Sequence, residues 1–252
     1  MKLKDKAVLI TGAGSGLGRE MALVFAREGA KIGVNDVRPE AAQNVTTEVE
    51  RAGGRALALV ADVTDSAAVR KIFADFVAAF GTIDVLINNA GIGRVRPGSE
   101  ATPTAEKSDE DWHKMIATHL DATFYCTREA LKVMLPRKSG RIINLGSIVG
   151  LTGIEMAADY GAAKGGIISF TKCVAREVVR AGILVNCIAP GFIETPMTAP
   201  LGPELRQIAI ARTPAGRFGE PRDIAAAALY LAGDDASFMV GQVISPNGGY
   251  VI

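Results

Sequence analysis

Seven short apolar runs, rich in β-branched residues, recur at 7–11, 31–34, 56–60, 84–87, 141–145, 183–189 and 242–245, with longer helix-patterned segments between them. No other feature restricts the fold as much. Strands joined through helices pair in parallel, because a parallel neighbour needs a crossover, and the crossovers cover both sheet faces. In the clearest helical segment Val69, Ile72, Phe73, Phe76, Val77 and Phe80 follow i, i+3, i+4, i+7, i+8 and i+11, so that face must be buried. The class predicted is α/β, a doubly wound parallel sheet. No repeat, linker or composition shift divides the chain, and 252 residues sit near the upper limit for one core, so a single domain over 1–252 is expected. Two stretches read as long loops: 92–110, with Pro97 and Pro103, and 192–218, with Pro196, Pro200, Pro203 and Pro214. Loops beyond strand ends are where open α/β sheets hold ligands.

Hydrophobic residues at 48% and charged residues at 22% exclude intrinsic disorder. With 28 basic and 27 acidic residues the formal charge is +1, which argues against nucleic acid or an anionic membrane surface as partner and for small molecules. Cys126, Cys173 and Cys187 form no CxxC pair, and the two histidines, His113 and His119, form no HExxH, so neither a disulfide framework nor a metal site is expected. A reducing compartment fits. The apolar run at 7–11 is too short for a signal-peptide core, and no stretch approaches 18 consecutive apolar residues, so the expectation is a cytoplasmic protein without a membrane span.

The first strand leads directly into Thr11-Gly12-Ala13-Gly14-Ser15-Gly16-Leu17-Gly18, and 19–27 then reads as a helix. A turn that carries backbone close to a pyrophosphate needs residues without Cβ, and the following helix N-terminus offers free N–H groups and a positive dipole end. The spacing departs from GxGxxG, so the dinucleotide reading leans on context. Asp36 supplies it. It closes the second strand 18 residues after Gly18, near the roughly 20-residue offset at which an acidic side chain meets the adenosine ribose hydroxyls. A carboxylate there repels a 2′-phosphate, which favours NAD over NADP; Arg38 is the feature that could admit NADP. The plainer alternative is that Asp36 only caps the next helix.

Tyr160 and Lys164 stand four apart at the start of a helix and share a face. A phenol titrates near 10, so proton exchange at neutral pH requires a nearby cation, which Lys164 can supply. Ser147 ends the fifth strand, at the carboxyl edge where ligands sit, and its hydroxyl can hold a substrate oxygen. A YxxxK pair alone is common on exposed helices. Here Asp62-Val63, Asn88-Asn89-Ala90-Gly91 and Pro190-Gly191 also follow strands, with Thr195 shortly after.

With these motifs in this order, the chain resembles the short-chain dehydrogenase/reductase family over its full length. The resemblance implies a single-domain, Rossmann-like, seven-stranded parallel sheet with helices on both faces, a nicotinamide cofactor, and reversible oxidation of a secondary alcohol to a ketone. It implies Tyr160 as general acid/base, Lys164 lowering its pKa and holding the nicotinamide ribose, and Ser147 orienting the substrate oxygen. Cofactor contacts are expected from Gly12, Ser15, Gly16, Leu17, Gly18, Asp36, Asp62, Val63, Asn89, Ala90, Gly91, Tyr160, Lys164, Pro190, Gly191, Ile193 and Thr195. A homotetramer is implied, paired through the helices near 112–135 and 160–181 and the C-terminal strand. PAGRFGEP at 214–221 and NGGY at 247–250 are most similar to bacterial 3-oxoacyl-(acyl carrier protein) reductases and to relatives acting on other alcohols.

One position departs from the pattern. The family's fourth catalytic residue is an asparagine, and His119 stands there, on a stripe with Trp112, Met115, Ile116, Leu120, Thr123 and Phe124. It is either a packed core residue or a neutral member of the proton relay that holds a water beside Lys164. GxSxG and GxxxxGK[ST] are both absent, which removes the serine-hydrolase and P-loop alternatives. A nucleotide-binding regulator without chemistry is the competing class. Met197, Leu201, Leu205, Ile208 and Ile210 give the second loop, a substrate lid at about 192–218, an apolar character. Arg137, Lys138 and Arg141 either dock an acyl carrier protein or complement a helix dipole. Whether the substrate is an acyl thioester or a cyclic or aryl alcohol stays open.

Overall fold

The computed structural model describes residues 1–93 and 102–252. Strands β1 (Ala7–Ile10), β2 (Lys31–Asp36), β3 (Arg55–Val60), β4 (Val85–Asn88), β5 (Gly140–Leu145), β6 (Ile183–Ile188) and β7 (Val243–Ile244) form one sheet in the order β3-β2-β1-β4-β5-β6-β7. All six pairings are parallel. The helices are α1 (Gly16–Arg27), α2 (Pro39–Arg51), α3 (Ser66–Phe80), α4 (Asp109–Ile116), α5 (Ala122–Arg137), α6 (Val149–Thr152), α7 (Ala158–Val178), α8 (Pro203–Ala211) and α9 (Pro221–Ala232). This is the expected single-domain Rossmann-like architecture.

The inner strands β1, β2, β4, β5 and β6 are buried on both faces, which is why their sequences are near-continuous apolar runs and do not alternate, whereas the edge strands β3 and β7 are only partly buried. β1 sends Val8 and Ile10 into the core beneath α1, α2 and α9, and Ala7 and Leu9 into the core beneath α3, α5 and α7. The predicted α3 face behaves as its spacing requires: Val69, Ile72, Phe73 and Phe76 are buried, with Val77 and Phe80 partly so. Asp65 caps this helix by accepting the Ala67 N–H at 2.7 Å, and Gly81 ends it at φ 81°, a left-handed conformation that suits glycine. Burying the Phe76 ring contributes about 1.5–3 kcal/mol. The ring reaches the sheet only because residue 33 is glycine, where a Cβ would lie 2.6 Å from it.

Local structure corrects three expectations. α1 begins at Gly16 and not at 19, since packing against α9, α2 and β2 overrides the poor helix propensity of Gly16 and Gly18. The stretch 192–218 is not one loop: α8 occupies Pro203–Ala211, with Pro203 in the first turn, where its missing N–H costs nothing. Of the stretch 92–110, residues 94–101, including Pro97, lie outside the described residues, while 104–106 make a 3₁₀ turn and α4 starts at Asp109. The stripe through His119 is also interrupted. Met115, His119 and Thr123 are buried while Trp112 faces outward, and a π-helical turn at Ala117–Asp121 adds a residue to one turn and rotates the helix beyond it, so Phe124 faces outward too.

Candidate active site

The chain leaves β1 toward β2 on one side and returns to β4 on the other, and a crevice opens at such a reversal beyond the carboxyl ends of the strands. A cleft of about 480 Å³ lies there.

One end of it is built around the glycine turn. Gly12 and Gly16 hold φ values of 61° and 54°, and a Cβ on Gly12 would stand 2.7 Å from the Ala90 backbone. Thr11 Oγ1 accepts the N–H groups of Asn89 and Ala90 at 3.0 Å each. In return Asn89 Nδ2 donates to the carbonyls of Thr11 and Gly12 at 2.9 and 3.0 Å, so the turns after β1 and β4 are locked together. At the start of α1 the N-cap Ser15 makes no side-chain hydrogen bond to the first turn, which leaves its N–H groups at the cleft wall. Asp36, buried at the end of β2, accepts the Gly14 N–H at 3.1 Å through one oxygen and the Arg38 N–H and Nε–H at 3.0 Å through the other. The Arg38 guanidinium also donates to Ser15 Oγ at 3.2 Å.

The other end gathers groups from three elements. Ser147 follows β5, and its Oγ accepts the Val149 N–H at 3.1 Å, which leaves the hydroxyl hydrogen for a ligand oxygen. One turn of α7 separates Tyr160 from Lys164, whose ammonium lies 5.7 Å from the phenol ring centre and donates to the Leu145 carbonyl at 2.7 Å. Burial pulls the lysine pKa down to about 8. The His119 ring meets Tyr160 edge-on, with centroids 5.3 Å apart. Its Nε2 lies 3.2 Å from the N of Ile92 and 3.1 Å from its O, while Nδ1 is buried with no partner among the described residues. Burial first, then the neighbouring Lys164 charge, hold His119 well below the usual histidine range, against a smaller opposing effect of the Ile92 hydrogen bond.

A family model described as Enoyl-(Acyl carrier protein) reductase matches residues 12–251. The chain is 40% identical, over the full length of both proteins, to the 3-oxoacyl-[acyl-carrier-protein] reductase FabG of Thermotoga maritima. It belongs to the short-chain dehydrogenase/reductase family. Another relative of this family, the (2S)-[(R)-hydroxy(phenyl)methyl]succinyl-CoA dehydrogenase subunit BbsD of Thauera aromatica, is 40% identical over 99% of this chain and 98% of its own. The crystal structure of 3-oxoacyl-[acyl-carrier protein] reductase from Brucella melitensis superposes with a TM-score of 0.94 at 33% identity, covering 100% of this chain and 93% of that one. The chain is therefore an oxidoreductase of the short-chain dehydrogenase/reductase family.

The residues fit the nicotinamide dinucleotide that this family binds: a cradle that a Cβ at residue 12 would fill, uncapped helix N–H groups for phosphates, and a carboxylate at the end of β2. Of the residues expected around it, Ser15, Leu17, Asp62, Val63, Gly91, Pro190, Gly191, Ile193 and Thr195 line the cleft beside those already described. Gly18 does not. It sits behind the wall, where a Cβ would come within 2.4 Å of the Gly12 carbonyl oxygen, so it serves the turn and not the ligand. The sequence carries no sign of the Thr11 clamp, of the Leu145 carbonyl that holds Lys164, or of Thr198, whose Oγ1 donates to the Ile193 carbonyl at 2.6 Å. These contacts run to backbone partners, and periodicity holds no signal for them. Arg137 and Arg141 stand at the opposite edge of the sheet from the cleft, Arg137 on the Ile83 carbonyl and the Asp84 carboxylate, Arg141 near Asp234. No helix among the described residues is long and apolar enough to cross a membrane, and no group of three or more metal-ligating side chains occurs among them.

Proposed function

We propose that this chain transfers hydride reversibly between NAD(H) and a secondary alcohol or its ketone, with Tyr160 as general acid/base. The convergence of Ser147, Tyr160 and Lys164 at one end of a cleft whose other end is a glycine turn carries this reading. The bound nicotinamide supplies the hydride donor or acceptor. Ser147 holds the substrate oxygen, Tyr160 gives it a proton or takes one at Oη, and the Lys164 cation favours the phenolate. At pH 7 a lysine with a pKa of about 8 is still mainly charged. His119, held neutral, can accept and donate at once and so hold a water in the relay.

Asp36 supports NAD over NADP, because a buried carboxylate at the ribose end opposes a 2′-phosphate, and the Arg38 charge beside it is already engaged. The segment 192–218 serves as a lid, pinned by Arg206 on Glu194 and over the Phe218 ring at 4.4 Å. A 3-oxoacyl or 3-hydroxyacyl thioester is the second reading, favoured by the acyl-carrier-protein and CoA substrates in the relatives' names and by the apolar Met197 and Leu201 on the cleft wall. A homotetramer acting in the cytoplasm completes the proposal. The test is cofactor-linked turnover with a panel of secondary alcohols, free ketones and acyl thioesters. Tyr160→Phe should lower kcat by about 10² to 10⁴ while NADH binding stays within a few-fold. A variant that keeps more than a tenth of the activity would sink the assignment.

A further inference from the structure

Immediately before the catalytic tyrosine, Asp159 is 2% exposed. It stands in the first turn of α7, where the N-cap Ala157 has no side chain able to hold a free N–H. One Asp159 oxygen accepts the Tyr160 N–H at 2.8 Å, and the other accepts from Lys107 Nζ at 2.9 Å. The lysine comes from the segment before α4, 52 residues away, and its side chain is only 11% exposed. Lys107 does not line the cleft, and its ammonium faces the carboxylate, so it is not placed to bind substrate.

We propose that Lys107 is a positioning residue that fixes the first turn of α7 and compensates the Asp159 charge beside Tyr160. The inference rests on the reading of Tyr160 as general acid/base. An unpaired carboxylate one residue from the phenol would disfavour the phenolate and oppose what Lys164 does from the other side. From the elements packed around Tyr160, His119 also meets the ring, edge-on. Glu155 and the charged residues of α4, Asp109, Glu110, Asp111, His113 and Lys114, are exposed. Among the described residues, Lys164, buried, and Lys107, largely covered, are therefore the cations drawn in at this turn.

The experiment is the pH profile of kcat for alcohol oxidation, with cofactor KM measured alongside. In Lys107→Met the rising limb should move up by about one pH unit, which lowers kcat about tenfold below the limb, with KM within about twofold. Lys107→Arg should restore the profile, and Lys107→Met combined with Asp159→Asn should bring the limb back because the uncompensated charge is gone. If Lys107→Met does not fold, Asp159→Asn alone decides, since it leaves the cation without its partner and should move the limb down. An unmoved limb in the single variants, or a double variant that keeps the Lys107→Met shift, overturns the inference. Tyr160→Phe separates the two levels: full turnover in that variant removes both readings, whereas loss of turnover with an unmoved limb in Lys107→Met removes this one alone.

Discussion

Charging His119 would place a second cation near Lys164 in a buried site, and so its folded pKa falls below the unfolded value of about 6.5. As pH drops through that window the unfolded chain takes the proton first, and stability is lost from about pH 6.5 downward. Thermal melts between pH 7 and 5 should show Tm falling on acidification, and falling less in His119→Asn; equal slopes would clear His119 of any part in acid sensitivity. In turnover, His119→Asn should keep activity and His119→Leu should lower kcat more than it raises KM, because a relay acts in proton transfer. A leucine variant with full kcat from pH 6 to 9 makes the histidine a packing residue. For the cofactor, the ratio of kcat/KM values should favour NAD(H) and narrow in Asp36→Ala. A wild type that prefers NADPH would mean that Arg38 dominates. Ser147, Tyr160, Lys164 and Asp36 were legible from sequence because each sits at a fixed step from a strand end or within one helix turn. Lys107 and Asp159 were not, since an ion pair across 52 residues leaves no local pattern.

Elements were legible where burial alone dictates them, as in the strands and in α3. They were misread where a few contacts outweigh propensity: the glycines that open α1, Pro203 at the head of α8, and the π-helical turn that turns Phe124 outward. Gly18 makes the point testable. A methyl group there would meet the Gly12 backbone carbonyl and the Asn89 side-chain amide, 2.6 Å from the Cβ position, which is itself held by hydrogen bonds to the Thr11 and Gly12 carbonyls. Gly18→Ala should cost about 1–3 kcal/mol in denaturant unfolding and weaken NADH binding, through the turn and not through direct contact. Unchanged affinity would show that the cradle tolerates a displaced α1.

Across the molecule, large apolar side chains remain outside the core: Phe238 is 97% exposed, and Tyr230, Phe124 and Leu135 are each about two-fifths exposed. Phe124 and Leu135 lie on α5, where subunit pairing is expected, so light scattering at micromolar concentration should report a tetramer; a monomer would refute it. Strand order carries a separate consequence. The inner strand β1 finds its neighbour β4, the middle strand of the sheet, only about 77 residues later, with Val8 in register with Val85. During synthesis an apolar, unpaired edge therefore waits on the nascent chain while β2 and β3 assemble on its other side. Pairings of such long separation form slowly, and an open edge of this kind recruits other chains. The same arrangement that opens the crevice thus makes refolding from denaturant a race against aggregation, with yields that fall as protein concentration rises.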